Sequence, residues 1–302
     1  MTATLLDGAE TARAIREELR GEIQALAARG VRPGLGVVLV GDNSASASYV
    51  RSKTRVCEEL GVFHETAHLP ATSTTEEVAA RVQDYNQRAD IHGILVQLPL
   101  PPQVDSEKVL ALVRPEKDVD GFHAVNVGRL VQKRPGFVAC TPAGVMELLQ
   151  RYKIPIAGRR AVVLGRSDIV GKPMALLLLH ADATVTVCHS KTADLPAVTR
   201  EGDILIAAIG RAGFVRAEHV KPGAVVIDVG INRITDPAAA RDLLDATRFA
   251  DFEKKGSAMV GDVHFPSVRE KASMITPVPG GVGPLTIALL MKNTVKAASL
   301  ST

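Results

Sequence analysis

Lys53 and Tyr49 are the first residues in the sequence whose types and spacing could do chemistry. They lie four residues apart in SYVRSK (48–53), within a helix that we predict to end near Gly61. On a helical wheel Lys53 falls inside the apolar arc, whereas the other charged residues of the helix lie on the opposite side. A lysine there either extends its ammonium to solvent or lines a pocket. In a pocket, burial would favour the neutral amine, which suits acid–base chemistry.

Polar residues also follow the apolar run at 94–96. Gln97 interrupts this run at the carboxyl end of a predicted strand, so its amide must be hydrogen bonded by the protein or by a ligand. Asp118 and Asp120 stand two residues apart in PEKDVDGF (115–122) and face alike if that loop is extended. Such a pair could bind a polar ring or a cation, or it could belong to a solvated loop.

The stretch VVLGRSDIVGKP (162–173) reads as a strand, a glycine-bearing turn and a helix. Its backbone N–H groups could hold a pyrophosphate, although Ser167 replaces one glycine of the usual dinucleotide fingerprint. The next strand ends in CHSKT (188–192), without the acid that accepts from the ribose of NAD. Arg166 lies in the turn. Arg166, together with His189, Ser190 and Lys191 of CHSKT, supplies cationic and hydroxyl groups. Such groups favour the 2′-phosphate of NADP, so we expect NADP in preference to NAD.

The segment ITPVPGGVGPLT (275–286) contains three prolines and three glycines just before a predicted C-terminal helix. Proline fixes the backbone, and glycine permits conformations that other residues avoid. Their density here indicates a close approach of the main chain to a ligand. A domain linker is the alternative interpretation.

The elements that must position these residues alternate between strands and helices along the whole chain. This pattern predicts an α/β protein with parallel sheets, whose ligands bind beyond the carboxyl ends of the strands. We expect an N-terminal parallel-sheet α/β unit and a second, Rossmann-type unit that begins after CTPAG (140–144). Residues 235–257 form a polar, helix-forming insert, which we interpret as a surface excursion.

The composition excludes several classes of function. The net charge of +3 is too small to indicate nucleic-acid binding, and aromatic residues make up only 3% of the 302 residues. The apolar runs are too short for a membrane span, and the N-terminus is too charged for a signal peptide. Three widely spaced cysteines match no metal or disulfide pattern, which favours the cytoplasm.

Ten stretches together resemble the bifunctional methylenetetrahydrofolate dehydrogenase/methenyltetrahydrofolate cyclohydrolase family, in the family's order and over nearly the whole chain. They are YVRSK, GILVQLPLP, PEKDVDGF, CTPAG, GRSDIVGKP, CHSKT, GDILIAAIG, IDVGIN, GDVHF and ITPVPGGVGP. The resemblance implies NADP-dependent oxidation of 5,10-methylenetetrahydrofolate to 5,10-methenyltetrahydrofolate, and hydrolysis of that product to 10-formyltetrahydrofolate. It also implies a homodimer, a cleft between a folate-binding catalytic domain and an NADP-binding domain, and no metal, nucleic-acid or membrane partner.

The resemblance also assigns roles by position. It implies that Lys53 is the general acid/base, tuned by Gln97 and Tyr49, and that Asp120 holds the pterin. The folate site would comprise Tyr49, Lys53, Val96, Gln97, Leu98, Asp120, Pro277, Pro279, Gly280, Gly281 and Val282. The NADP contacts would be Gly165, Arg166, Ser167, Ser190 and Ile231. The catalytic domain would span residues 1–140 and be completed by the helix at 284–302, with residues 141–283 forming the NADP domain.

Two alternatives remain open at this point. The chain could be a dehydrogenase with weak cyclohydrolase activity, although Tyr49, Lys53 and Gln97 are all retained. It could also be a non-catalytic folate- or nucleotide-binding protein, although that would predict loss of Lys53 or of the turn at Gly165. His264 stands where the family commonly has an acid, and the sequence gives no reason for it.

Overall fold

The computed structural model describes residues 2–301, apart from the side chains of residues 44 and 45. It confirms the alternating α/β pattern. The first part of the chain contains β1 (Thr4–Leu5), α1 (Gly8–Ala27), β2 (Gly34–Val40), α2 (Ser44–Leu60), β3 (Phe63–Leu69), α3 (Thr75–Gln87), β4 (Gly93–Val96), α4 (Ser106–Ala111) and α5 (Ala124–Val131).

The second part begins with α6 (Cys140–Arg151), β5 (Arg160–Leu164), α7 (Gly171–His180), β6 (Thr184–Cys188), α8 (Leu195–Thr199), β7 (Ile204–Ala207) and a 3-10 turn (Ala217–His219). It continues with β8 (Val225–Asp228), β9 (Asn232–Ile234), α9 (Pro237–Leu243), α10 (Ala246–Lys255), β10 (Ala258–Val260), α11 (Phe265–Arg269), β11 (Met274–Ile275) and α12 (Val282–Leu300).

The chain divides into two compact units, and neither is continuous in sequence. The N-terminal unit comprises residues 12–140 and 287–302, and the second unit comprises residues 1–11 and 141–286. We predicted that the first residues belong to the N-terminal domain, but β1 pairs in parallel with β11 and so joins the second unit. Helix α12 begins in the second unit and ends in the N-terminal unit.

The N-terminal unit is built on a parallel sheet in the order β3-β2-β4. All seven residues of β2 are buried, because this central strand is covered on both faces. Tyr85 of α3 packs against this sheet and is fully buried. The carboxyl ends of β2 and β4 meet at one edge, which places Gln97 directly after β4 at that edge.

The second unit has a six-stranded sheet in the order β1-β11-β8-β7-β5-β6, and every pairing in it is parallel. Strand β5 lies between β6 and β7. The chain continues from β5 to β6 on one side and then crosses to β7 on the other side. Ligands bind at such a switch point, beyond the carboxyl ends of the strands. The turn that follows β5 contains Gly165, Arg166 and Ser167.

The insert at 235–257 lies between β9 and β10, which pair antiparallel. It carries a small hydrophobic cluster of its own that includes Leu243 and Phe252. His264 links this insert to the rest of the second unit: it caps α11 at Ser267, and its Nε2 lies 2.9 Å from the carbonyl oxygen of Asp242. The histidine that the sequence left unexplained therefore has a structural role.

Candidate active site

Lys53 is buried on the inner face of α2, with only 7% of its surface exposed. The helical wheel left open whether this lysine extends to solvent or is buried, and the structure shows that it is buried. Its Nζ donates a hydrogen bond of 2.9 Å to Oε1 of Gln97. Burial lowers the pKa of the Lys53 ammonium, and the charge of the nearby Asp120 carboxylate partly opposes this shift. The lysine is therefore closer to releasing its proton than an exposed lysine is.

Gln97 is held so that only its oxygen faces the lysine. Its Nε2 donates to the carbonyl oxygen of Leu98 at 2.8 Å, and its backbone N–H donates to Val38 at 2.9 Å. These bonds fix the side-chain amide, so that Oε1 accepts from Lys53 without adding a charge. Tyr49 lies one helical turn before Lys53, and burial raises the pKa of its phenol, which keeps the hydroxyl protonated near neutral pH.

Asp120 is the carboxylate of this site. Burial raises its pKa to about 6; the Lys53 cation opposes that shift, whereas Asp118 adds to it. Cys140 lies beside both groups, and burial raises the pKa of its thiol well above the usual value. The site thus combines a lysine and a carboxylate whose pKa values are shifted toward neutrality from opposite sides.

Asp118 does not share this role, although it stands only two residues from Asp120. Its buried carboxylate accepts hydrogen bonds from the backbone N–H groups of Gly121, Phe122 and His123 and from the side chain of Asn126. Its hydrogen-bonding capacity is therefore directed into the loop. Asp118 fixes the backbone that presents Asp120, instead of binding a ring or a cation.

Sequence reasoning missed two residues beside this site, Cys140 and Asn293. Cys140 donates from Sγ to the carbonyl oxygen of Val119 at 3.3 Å. Asn293 of α12 donates from Nδ2 to the same carbonyl at 2.8 Å and to that of Val138 at 3.2 Å. The motif CTPAG contained Cys140, but no spacing in the sequence connects Asn293 to residues more than 150 positions earlier.

The remaining predicted folate contacts fall in two places. Val96 packs its side chain into the core of the N-terminal unit, so only its backbone is available to a ligand. Leu98 is partly exposed and precedes Pro99 through a cis peptide bond. The other predicted contacts belong to the second unit: Pro277, Pro279, Gly280, Gly281 and Val282.

The proline- and glycine-rich loop owes part of its composition to internal packing. A Cβ on Gly281 would lie 2.4 Å from the carbonyl oxygen of Pro277, and one on Gly8 would lie 1.8 Å from that of Gly281. Gly280 differs, because it has a φ of +99° and its nearest neighbouring atom would lie 3.9 Å from an added Cβ. Of these glycines, Gly280 is the one with space for a ligand beside its main chain.

A cavity of about 310 Å³ lies at the switch point of the second unit. Four residues that we predicted to contact NADP line it: Gly165, Arg166, Ser167 and Ser190. Arg211, which sequence reasoning missed, lines it as well. Ile231 is exposed and lies instead beside Gly283 at the start of α12. No acidic residue is among those that line this cavity in the described part of the chain.

The turn after β5 is restricted by its backbone and by hydrogen bonds within it. Gly165 has a φ of +134°, and an added Cβ would stand 2.2 Å from the carbonyl oxygen of Ala208, so no other residue fits this turn. Ser167 accepts from the N–H groups of Val170 and Gly171 at 3.2 and 3.4 Å. The predicted phosphate donors at this helix start are therefore engaged by the serine hydroxyl, through long hydrogen bonds.

In the part of the chain that the structure describes, no group of three or more His, Cys, Asp or Glu side chains could hold a metal ion. Among the same residues, no helix is both long enough and apolar enough to cross a membrane.

Comparison with known proteins gives two family matches along the chain. Residues 6–120 match the catalytic domain of tetrahydrofolate dehydrogenase/cyclohydrolase, and residues 139–302 match the NAD(P)-binding domain of the same family. The bifunctional protein FolD of Koribacter versatilis is 58% identical over 302 residues, covering 99% of this chain and 98% of the relative. The FolD of Burkholderia thailandensis is 52% identical over 99% of this chain and 98% of its own length.

Two solved structures are also similar. The bifunctional FolD of Campylobacter jejuni has a TM-score of 0.90 and 46% identity, covering 99% of this chain and all of its own. The FolD of Trypanosoma brucei, complexed with NADP cofactor and inhibitor, has a TM-score of 0.90 and 42% identity, covering 100% and 99%. The chain is therefore a bifunctional enzyme of the tetrahydrofolate dehydrogenase/cyclohydrolase family, with a catalytic domain and an NAD(P)-binding domain.

Proposed function

We propose that this enzyme oxidises 5,10-methylenetetrahydrofolate with NADP and hydrolyses the 5,10-methenyl product to 10-formyltetrahydrofolate, with Lys53 as the general acid/base. The observation that carries this proposal is the buried Lys53 ammonium, bonded to Gln97 and beside the Asp120 carboxylate. A lysine whose pKa is lowered by burial releases its proton more readily than an exposed lysine, and its neutral amine can accept one, which is what ring opening requires.

Each neighbour of Lys53 has a separate task in this proposal. The bound dinucleotide supplies one function, acceptance of a hydride from the methylene carbon. Lys53 moves a proton between the attacking water and the folate nitrogen as the methenyl ring opens. Gln97 orients the ammonium of Lys53. Tyr49, whose phenol stays protonated, donates a hydrogen bond within the same site. Asp120 accepts two N–H donors from the 2-amino-4-oxo edge of the pterin.

The rest of the folate site follows from the residues that remain accessible. Leu98 and the backbone of Val96 extend the site along the end of β4. In the second unit, the loop that we also assign to folate has space beside its main chain at Gly280. Pro277, Pro279, Gly281 and Val282 complete the loop that we assign to folate. Gly281 and Val282 are buried, so their part is to shape this loop.

Replacement of Lys53 by methionine tests the general acid/base. Because general acid–base catalysis contributes about 100- to 10,000-fold, Lys53→Met should lower the methenyl hydrolysis rate by that factor and leave NADP affinity unchanged. Arg55→Met is the matched control, since Arg55 is exposed on the same helix. Hydrolysis at the normal rate in Lys53→Met would refute the role of Lys53. If neither NADP nor NAD is reduced even by the unaltered chain, the enzyme assignment itself fails.

The choice of NADP rests on two guanidinium groups, those of Arg166 and Arg211, which line the dinucleotide cavity together with Ser190. Their charges match a 2′-phosphate. We therefore expect Arg166→Gln to raise the KM for NADP by about 10-fold or more, the effect of losing one charge-assisted hydrogen bond, and to leave the KM for NAD unchanged. An equal rise for both cofactors would contradict the assignment of Arg166 to the 2′-phosphate.

We also propose that the chain forms a homodimer and acts in the cytoplasm. Strand β6 is an edge strand of the second unit; Val187 on this strand and Leu179 on α7, which packs against it, are exposed apolar side chains. An uncovered apolar edge favours pairing with a second copy. Light scattering of the purified chain gives the mass that tests this. All three cysteines are unpaired and buried, which suits a reducing compartment.

A further inference from the structure

A second open cavity, of about 590 Å³, lies in the N-terminal unit and belongs to neither site described above. Ile91 and His92, which line it, immediately precede β4. Gln97 follows the other end of that strand, and the four residues of β4 span about 13 Å. The cavity therefore lies at the amino end of the sheet, opposite to the Lys53 site within the same unit.

Four cationic side chains surround this cavity: those of Arg114, Lys117, Arg129 and Lys296. The only carboxylate that lines it in the described chain is that of Glu116, 3.7 Å from Arg114. Among the described residues, no carboxylate oxygen lies within salt-bridge distance of the other three cations. Gathering like charges is unfavourable unless an anion compensates them.

The cations keep hydrogen-bond donors that the protein does not use. Lys117 donates to the carbonyl oxygens of Tyr85 and Arg88, at 3.1 and 2.6 Å. Within the described chain, Lys296 donates to the carbonyl oxygen of Gly136, at 2.8 Å. Arg129 donates to Oδ1 of Asn126, at 3.4 Å. Since an ammonium has three donors and a guanidinium five, each of the three cations can still bind an anion.

The same cavity has an apolar wall. Ile91, Phe137, Ala297 and Leu300 contribute to it, and the Phe137 ring lies 5.2 Å from Nζ of Lys296. An open volume of this size falls within the range of small-molecule sites, which combine an apolar wall with a few placed polar groups. The combination suits a ligand that has both an apolar body and more than one negative charge.

We infer that this cavity binds a small organic polyanion, a molecule with an aromatic or aliphatic body and phosphate or carboxylate groups that Lys117, Arg129 and Lys296 would hold. The proposal is independent of the folate and dinucleotide sites, because it uses none of their residues.

Direct detection uses a reporter at the rim of the cavity. The chain contains no tryptophan, and Leu300 is 70% exposed, so Leu300→Trp introduces one fluorophore without altering any cation. The probes are phenyl phosphate for a phosphate source and benzene-1,3,5-tricarboxylate for a carboxylate source, with benzamide as the uncharged control. We expect a saturable fluorescence change with at least one anion and none with benzamide. No saturable change with either anion would overturn the proposal.

Charge removal identifies where the anion binds. In the Leu300→Trp background, Arg129→Gln with Lys296→Gln should weaken binding by about tenfold or more, because two charge-assisted contacts are lost. The control pair is Arg51→Gln with Arg55→Gln, which removes the same charge from the exposed face of α2 and should leave the affinity unchanged. Equal affinity in both pairs would overturn the proposal. So would binding that Arg166→Gln abolishes, since that would place the anion in the dinucleotide cavity.

Discussion

The hydrogen bond between Lys53 and Gln97 allows a prediction in which two substitutions have opposite effects. Gln97→Met keeps the length of the side chain but removes the acceptor 2.9 Å from Nζ. Gln97→Glu keeps the acceptor and adds a negative charge. The first change should lower the pKa of Lys53, because its ammonium loses a buried partner, and the second should raise it.

The magnitude follows from the kind of bond that is changed. A hydrogen bond to a charged group contributes about 1.5–3 kcal/mol, so its removal shifts the protonation equilibrium of Lys53 by about 10- to 100-fold. The added carboxylate of Gln97→Glu should act in the other direction by at least about tenfold. Its effect is limited by Asp120, because two neighbouring carboxylates raise the pKa of each other.

The assay is the pH dependence of methenyl hydrolysis, followed as loss of the methenyl compound. The rate without enzyme is subtracted, and the Lys53→Met variant serves as the background. The midpoint of the profile should move to lower pH in Gln97→Met and to higher pH in Gln97→Glu. A shift in the same direction in both variants, or no shift in either, would refute the inference that Gln97 tunes Lys53.

The remaining predictions concern stability. Because the pKa of Asp120 is about 6 in the folded state and about 3.9 when unfolded, the enzyme should lose at most about 3 kcal/mol as pH rises from about 4 to 6. Asp120→Asn should lack this slope, and urea unfolding at several pH values measures the difference; parallel slopes would contradict the burial of Asp120. Gly165→Ala should destabilise the enzyme by about 1–3 kcal/mol or more and weaken NADP binding, because of the clash with Ala208. Gly158→Ala, with a φ of +72° and nothing within 4 Å, should show only the smaller effect of backbone strain in a thermal melt.

Local pattern was sufficient to predict the residues whose role depends on their own element. The apolar periodicity of α2 placed Lys53 on the apolar side of the helix, and the interrupted apolar run predicted that Gln97 would have a partner at the end of β4. The turn at Gly165 was recognisable because a strand, glycines and a helix follow each other directly. Each of these signals lies within about twenty residues of sequence.

Roles that depend on distant segments could not be predicted in this way. Asp118 and Asp120 look equivalent in sequence, and only the hydrogen bonds to Asn126 and the following backbone distinguish them. Asn293 reaches Val119 from the last helix, and Cys140 contacts the same carbonyl from the start of α6. Likewise, a glycine is required at position 8 because the carbonyl oxygen of Gly281 approaches it, a contact between segments more than 270 residues apart.

Helix α12 has a consequence for the way this protein is made. The N-terminal unit needs residues 287–302: Met291 packs on Cys57, and Thr294 lies against Gly93. A ribosome delivers these residues long after the three strands of the unit have emerged. Until then, the core of the nascent N-terminal unit is incomplete. Its exposed apolar surface can bind chaperones or lead to aggregation. A chain released before the last turns of α12 would lack both this core and Asn293, so prematurely terminated translation should yield inactive, protease-sensitive products.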